Sequence, residues 1–137
     1  MIKTELLLEG EPIPLQRHRT TVKNGKQQQF DPQAKRKVVI RNILFHRLKD
    51  PTPCKKEVSI ILKFYFYRPP SMRGKTNEDL EKISHIRKPD LDNCIKFILD
   101  CGNGILWKDD SLISEIYAFK AWSNHPRTEI EYYELSK

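Results

Sequence analysis

Two acidic groups in an otherwise basic chain contain the residue types that could carry out catalysis. Asp90 and Asp92 stand one residue apart, Lys96 follows them, and a second acidic pair comes about twenty residues later, at Asp109 and Asp110. Carboxylates without a His or Cys partner at metal-binding spacing are ligands suited to Mg²⁺ or Mn²⁺ rather than Zn²⁺. The pattern predicts a Mg²⁺ centre, at which Mn²⁺ can substitute, that hydrolyses a phosphodiester with an activated water molecule.

The expected metal ligands in this centre are Asp90, Asp92 and Asp110. An extended chain through Asp90 would aim that carboxylate and the one at Asp92 in the same direction, since residues i and i+2 of a strand share a face. Adjacent side chains diverge, so we expect only Asp110 of the second pair to face the ion and Asp109 to act as an outer-sphere partner. Trp107 lies in the apolar run before this pair and should anchor the turn against the core.

Each of these residues also has an ordinary structural interpretation. An Asp at the start of a helix is often its N-cap, which is the alternative for Asp90 and Asp92. Lys96 lies four residues after Asp92, where an i,i+4 ion pair is worth about 0.3 kcal/mol. In the catalytic interpretation, the Lys96 ammonium instead stabilises the charge that a phosphoryl oxygen gains in the transition state. The acidic turn at Asp109 and Asp110 can simply be solvated.

Positive charge is concentrated in the first third of the chain. The net charge is +7, and the segment from Arg17 to Lys49 holds ten basic residues against one acid, Asp31, so that it carries +9 and the remainder −2. A basic region beside an acidic cluster is typical of an enzyme that acts on a polyanion, whereas a merely solvated basic helix face is the alternative. The residues expected to contact DNA are Arg17, Arg19, Lys23, Lys35, Arg36, Arg73, Lys75, Arg87 and Lys88.

Length and composition favour a single soluble domain over residues 1–137. The chain has 137 residues, of which 38% are hydrophobic and 31% charged, enough to bury a core. No apolar run approaches the ~20 residues that a membrane helix needs, and the amino-terminal segment has no cleavage signature, so we expect a cytoplasmic protein without membrane association. Three cysteines without CxxC spacing argue against disulfides and a zinc site.

Apolar periodicity predicts the elements that must position the acidic residues. Even-numbered residues from Val58 to Phe66 are apolar, which indicates a strand with one face in the core. Leu91, Ile95, Ile98 and Leu99 recur at helical spacing, which predicts a helix from Leu91 to Asp100, directly after Asp90. The predicted strands are 2–8, 58–67, 113–122 and 128–135, with the last two joined as a hairpin through residues 124–126.

The remaining segments are a basic helix and two polar connections. Asp31-Pro32 should cap and start a helix that runs to about Lys49. Its expected apolar stripe is Val39, Ile40, Ile43, Leu44 and Leu48. Residues 11–30 should form a long loop, with a short hairpin possible at Asn24-Gly25, and residues 71–87 a short helix or mobile loop. Together these elements predict an α/β (α+β) fold in which two principal helices pack on one mixed sheet of about four strands.

The acidic elements, taken with their spacing, resemble a known family. The pattern Lys88-Pro-Asp-Leu-Asp-Asn-(x)₂-Lys96, then Asp100, then Trp107-Lys-Asp-Asp110-Ser resembles the RusA family of Holliday junction resolvases of bacteria, phages and prophages. Both elements recur in that family's order and separation, and the likeness is sharpest from Lys88 to Ser111. This chain departs from the family in its long 71–87 segment.

The resemblance implies an activity and a set of roles. A RusA-like protein is expected to be a homodimer that makes paired, symmetric nicks in strands of like polarity at a four-way DNA junction, in recombination and repair. By position, Asp90, Asp92 and Asp110 would be the metal carboxylates and Lys96 the essential lysine. Two alternatives stay open: a non-catalytic, basic DNA-binding accessory protein, and a metal nuclease for another branched DNA.

Overall fold

The computed structural model describes residues 2–135, which form a four-stranded mixed sheet, a separate two-stranded sheet and three helices. The two longer helices confirm the predicted fold class. In chain order the elements are β1 (Ile2–Glu9), β2 (Arg19–Lys23), β3 (Lys26–Phe30), α1 (Ala34–Arg47), β4 (Val58–Tyr67), α2 (Asn77–Leu80), α3 (Leu91–Gly102), β5 (Ile113–Ser123) and β6 (Arg127–Glu134). Single 3₁₀ turns form at Pro70–Met72 and Asp110–Leu112.

The strand order of the main sheet is β1-β6-β4-β5. β4 pairs parallel to β5 and antiparallel to β6, while β6 also pairs antiparallel to β1. The predicted hairpin between the last two strands is therefore wrong, because β4 lies between them. Strands two positions apart in a sheet are separated by roughly 10 Å, a distance that the three residues between Ser123 and Arg127 can span.

One apolar core fills the space between this sheet and the two long helices. The even-numbered residues of β4 face it, and Val58, Ile60 and Leu62 are completely buried. From α3 the core receives Phe97 and Cys101, both at most 1% exposed. The alternation of β4 and the helical spacing of α3 thus hold as predicted, and α3 is fixed against the sheet along its length.

The start of α1 differs from its prediction. The N-cap is Gln33, whose side chain makes no capping bond, and the helix begins at Ala34. Asp31 instead accepts the Gln33 backbone N–H at 2.9 Å and the Lys37 ammonium at 2.7 Å. Val39 is 56% exposed and not part of the apolar stripe, because the helix turns the residues around the fully buried Leu44 toward the core.

Two connections take the form that their turn residues predict. Asn24 and Gly25 both have positive φ, 53° and 75°, as a tight hairpin between β2 and β3 requires. In the 71–87 segment, the Thr76 hydroxyl accepts the Asp79 N–H at 3.2 Å and caps the short α2. No helix within residues 2–135 combines the length and apolar character needed to cross a bilayer.

Candidate active site around helix α3

The first predicted carboxylates lie at the amino-terminal end of α3. Asp90 is the N-cap residue, yet its side chain makes no capping hydrogen bond, and Asp92 lies in the first helical turn. Both side chains are open to solvent, 51% and 67% exposed, and each has one cationic partner: Lys88 at 3.0 Å from Asp90, and Lys96 at 3.8 Å from Asp92. The capping alternative is therefore not observed at Asp90, whereas the i,i+4 ion pair is.

A lysine of the neighbouring strand holds the chain that leads to Asp90. The Lys120 ammonium donates hydrogen bonds to the carbonyl oxygens of Arg87 at 2.7 Å and Pro89 at 2.6 Å. The Lys88–Pro89 peptide bond between these two carbonyls is cis. Sequence patterns did not predict this tether, and the available signal was a single lysine in an otherwise apolar stretch of β5, Ala118 to Trp122.

A buried histidine attaches the residues just before this segment to the same strand. His85 is 5% exposed and lies against the rings of Phe66 and Trp122, with centroids 4.1 and 4.3 Å away. Its backbone N–H donates to the Lys120 carbonyl at 3.0 Å. Burial lowers the pKa of the imidazole below 6.5, and the charge of Lys120 lowers it further. The neutral ring therefore acts as a packing residue that attaches residues 83–85 to the edge of β5.

The third predicted carboxylate lies at the opposite end of α3. The indole Nε1 of the completely buried Trp107 donates to Asp110 at 2.7 Å, and the Asp110 N–H donates to the Asn103 side chain at 3.2 Å. The expectation that Trp107 anchors this turn is confirmed. Burial raises the pKa of Asp110; the Trp107 hydrogen bond opposes that rise, and the charge of Asp100 adds to it.

The tryptophan is itself positioned by a glycine of α3. A Cβ atom on Gly102 would lie 2.8 Å from Cζ2 of Trp107 and 3.1 Å from Leu106. Only a residue without a side chain allows the indole to lie this close to the helix. Gly102 therefore sets the depth of Trp107 and, through the indole N–H, the place of the Asp110 carboxylate.

Asp109 has a local structural role. Its carboxylate accepts the Ser111 N–H at 2.9 Å and caps the 3₁₀ turn that begins at Asp110. The hydrogen bonds from Ser111 lower the pKa of Asp109. Its outer-sphere role toward a metal stays a prediction.

The two ends of α3 keep the predicted ligands apart within one chain. Asp110 is close enough to Asp100 for that charge to affect its pKa, and Asp100 lies eight helical residues beyond Asp92, roughly 12 Å along the axis. Within residues 2–135 no three His, Cys, Asp or Glu side chains are grouped closely enough to hold a metal ion. The structure thus brings together Asp90, Asp92 and Lys96, but not Asp110.

The side chains predicted to contact DNA are all exposed, on four parts of the surface. Arg87 and Lys88 lie directly before Asp90, with the Arg87 guanidinium over the Trp122 ring at 5.6 Å. The others lie on the β2–β3 hairpin and the segment before it, at the start of α1, and between β4 and α2: Arg17, Arg19, Lys23, Lys35, Arg36, Arg73 and Lys75. Only the first group is adjacent in sequence to the carboxylates.

Solvent-open carboxylates with neighbouring lysines, on a strongly basic protein, are the components of a nuclease. The sequence model of the RusA endodeoxyribonucleases matches residues 9–133. The chain therefore belongs to the RusA endodeoxyribonuclease family, whose substrate is DNA. It is also 32% identical over 133 residues to the "Uncharacterized protein YqaN" of Bacillus subtilis (strain 168), an alignment that covers 93% of each chain.

Proposed function

We propose that this protein is a Mg²⁺-dependent endonuclease, able to use Mn²⁺, that resolves four-way DNA junctions by paired symmetric nicks in recombination and repair. The observation that carries the proposal is the solvent exposure of the Asp90 and Asp92 carboxylates. Both carboxylates lie at the start of α3 and face solvent, and Asp90 does not use its side chain to cap the helix. Family membership supports a nuclease acting on DNA.

The donor set suits the proposed ion. Mg²⁺ is bound through oxygen, usually by one or two carboxylates together with substrate phosphate and water. Asp90 and Asp92 supply such carboxylates. The neighbouring thiol of Cys94 is completely buried, and burial raises its pKa to about 11, so it does not offer the thiolate that would favour zinc. When bound, the ion would neutralise phosphate charge and make a water molecule more acidic.

The chain's own residues supply positioning and charge. Lys120 holds the Arg87 and Pro89 carbonyls, and so fixes the direction from which Asp90 approaches the site. Lys96, 59% exposed and 3.8 Å from Asp92, is free to turn toward a phosphoryl oxygen. Its ammonium would stabilise the charge that develops there in the transition state.

A homodimer reconciles the three carboxylates with the geometry of one chain. Because Asp110 lies at the far end of α3 from Asp92, we propose that each centre combines Asp90 and Asp92 of one protomer with Asp110 of its partner. Two such centres related by a two-fold axis would suit a junction, whose arms present two equivalent strands.

A complementation experiment tests this arrangement. Asp92→Asn and Asp110→Asn proteins should each be inactive on a synthetic junction, while a mixture that has exchanged protomers should regain nicking. A mixed dimer would contain one centre with both substitutions and one with neither. If each centre instead lies within one protomer, the mixture stays inactive.

Single substitutions separate catalysis from binding. Asp90→Asn should abolish nicking while the affinity for the junction in EDTA stays unchanged. A wild-type protein that binds DNA but does not nick it with Mg²⁺ or Mn²⁺ would favour the accessory-protein alternative, to which the Asp92–Lys96 ion pair gives some support. Preferential cutting of flaps or forks would indicate a nuclease for another branched DNA.

A further inference from the structure

We propose that the β2–β3 hairpin is a duplex-binding arm, whose cationic face contacts the phosphates of one arm of the DNA substrate. The inference rests on the proposed function in taking branched DNA as the ligand.

The β2–β3 hairpin is a two-stranded sheet that buries none of its side chains. All five residues of β2 and all five of β3 are exposed, and the two strands form a sheet of their own. A two-stranded hairpin that buries nothing is only marginally stable by itself. An ordered ribbon of this kind is therefore more consistent with a binding element than with a support for the fold.

The strand register sorts the side chains onto two unlike faces. Directly paired residues share a face, so the pairs Arg19–Phe30, Thr21–Gln28 and Lys23–Lys26 form one face. We call this the cationic face: Arg19, Thr21, Lys23, Lys26, Gln28 and Phe30. The opposite face holds Thr20, Val22, Gln27 and Gln29, none of which is charged. All three cations of the ribbon strands thus point the same way.

The charges of the cationic face are not compensated. In the part of the chain that the structure describes, residues 2–135, Arg19, Lys23 and Lys26 form no ion pair. The acid nearest in sequence to the two lysines, Asp31, is bound to Lys37 at 2.7 Å. A row of unpaired cations on an exposed ribbon is complementary to a row of phosphates.

The base of the ribbon is fixed beside the candidate site. Gln33 is 4% exposed; its side chain accepts the Gln16 N–H and donates to the Pro14 carbonyl, both at 2.8 Å. The Leu15 N–H donates to the carbonyl of Asn93, in the first turn of α3, at 2.9 Å. These bonds hold the chain segments directly before and after the ribbon next to Asn93, the residue that follows Asp92.

Dimensions and composition favour double-stranded DNA. Five-residue strands extend roughly 16 Å, about five base pairs at 3.4 Å each, and a two-stranded ribbon fits the major groove. Single-stranded DNA is bound mainly by stacking on several aromatic rings, whereas the cationic face has one, Phe30. The ribbon would therefore follow a duplex arm that leads away from the scissile phosphate.

The test measures salt-dependent binding by a double variant, Lys23→Gln with Lys26→Gln. Wild-type and variant proteins are titrated with a fluorescent four-way junction in EDTA between 50 and 200 mM NaCl. Losing two phosphate contacts should make the negative slope of log K against log [salt] shallower by about 1.8 and weaken binding at 0.1 M salt by up to about 60-fold. The charge-matched control is Lys55→Gln with Lys56→Gln, two exposed lysines before β4.

The outcomes separate the arm from its alternatives. Equal slopes for the ribbon variant and the wild type, or equal losses for the ribbon and control variants, would overturn the proposal. The proposal would also be overturned if the ribbon variant shows a shallower slope with single-stranded DNA only. A change in its oligomeric state, measured by size-exclusion chromatography with light scattering, would overturn it as well. Binding is measured without metal. If the ribbon variant shows a shallower slope although the wild-type protein never nicks DNA, the duplex-binding arm is supported and the nuclease proposal fails.

Discussion

Lys120→Met should impair nicking more than it impairs folding. Methionine keeps the length of the side chain but removes the ammonium that binds the carbonyls of Arg87 and Pro89. A hydrogen bond to a charged group contributes about 1.5–3 kcal/mol. The bond to Arg87 is exposed and water can replace it, whereas the bond to Pro89 is partly buried, so we count one bond.

That free energy sets the expected loss of rate. If loss of this bond misplaces Asp90 and raises the activation free energy by the full 1.5–3 kcal/mol, the single-turnover nicking rate falls roughly 10- to 150-fold. The assay follows cleavage of a labelled junction at several Mg²⁺ concentrations, with junction affinity in EDTA measured in parallel. We expect a higher Mg²⁺ requirement and nearly unchanged affinity.

Two controls separate positioning from general stability. Lys120→Arg keeps a cationic donor and should recover part of the rate, and Lys55→Met removes an exposed lysine far along the chain and should change nothing. The pKa of His85, which burial and then the charge of Lys120 hold below 6.5, should rise in Lys120→Met as followed by NMR. A Lys120→Met protein that melts at a lower temperature but nicks at the wild-type rate and Mg²⁺ requirement would refute the positioning role.

Three further predictions concern the support of the fold and of Asp110. Gly102→Ala should destabilise the protein by about 1–3 kcal/mol in urea unfolding, because its Cβ would lie 2.8 Å from Trp107; unchanged stability would contradict that packing. Trp107→Phe removes the hydrogen bond to Asp110 and should slow nicking even at temperatures where the variant is fully folded. A nicking rate that falls only in proportion to the unfolded fraction would contradict this. Lys37→Met should cost about 1 kcal/mol at neutral pH. Lys37 holds the pKa of Asp31 below 3.8, so the difference from wild type should shrink as pH falls below about 4, and a pH-independent difference would contradict the ion pair.

Side-chain periodicity predicted the main helices and strands but not which strands pair with each other in the sheet. The alternation of β4 and the spacing of α3 report burial residue by residue, so both elements were found within a few residues of their observed ends. The order of the sheet is different, because a three-residue connection suits a hairpin and also a crossing over one strand. Which of these forms depends on where β4 packs, and the pattern of β5 and β6 contains no information on that.

The residue types at the site were easier to predict than its distances. Asp90, Asp92 and Lys96 lie within seven consecutive residues at the start of α3, less than two helical turns, so their proximity follows from local geometry. The sequence predicted that Trp107 anchors the turn before Asp110, but not that its indole N–H and Gly102 place the Asp110 carboxylate at the other end of α3. Lys120 acts through backbone carbonyls; a single lysine in an apolar strand is conspicuous, but the sequence does not indicate which groups it binds.

Junction cleavage by the wild-type protein tests the central claim most directly. A four-way junction with a fixed crossover, labelled on each strand in turn, is incubated with Mg²⁺, Mn²⁺ or EDTA, beside a linear duplex of the same sequence. We predict metal-dependent nicks at symmetric positions in two strands of like polarity, products that DNA ligase reseals, and an intact duplex. A junction that is bound but uncut with either metal, or an Asp92→Asn protein that cuts like the wild type, would contradict a metal-dependent resolvase centred on the start of α3.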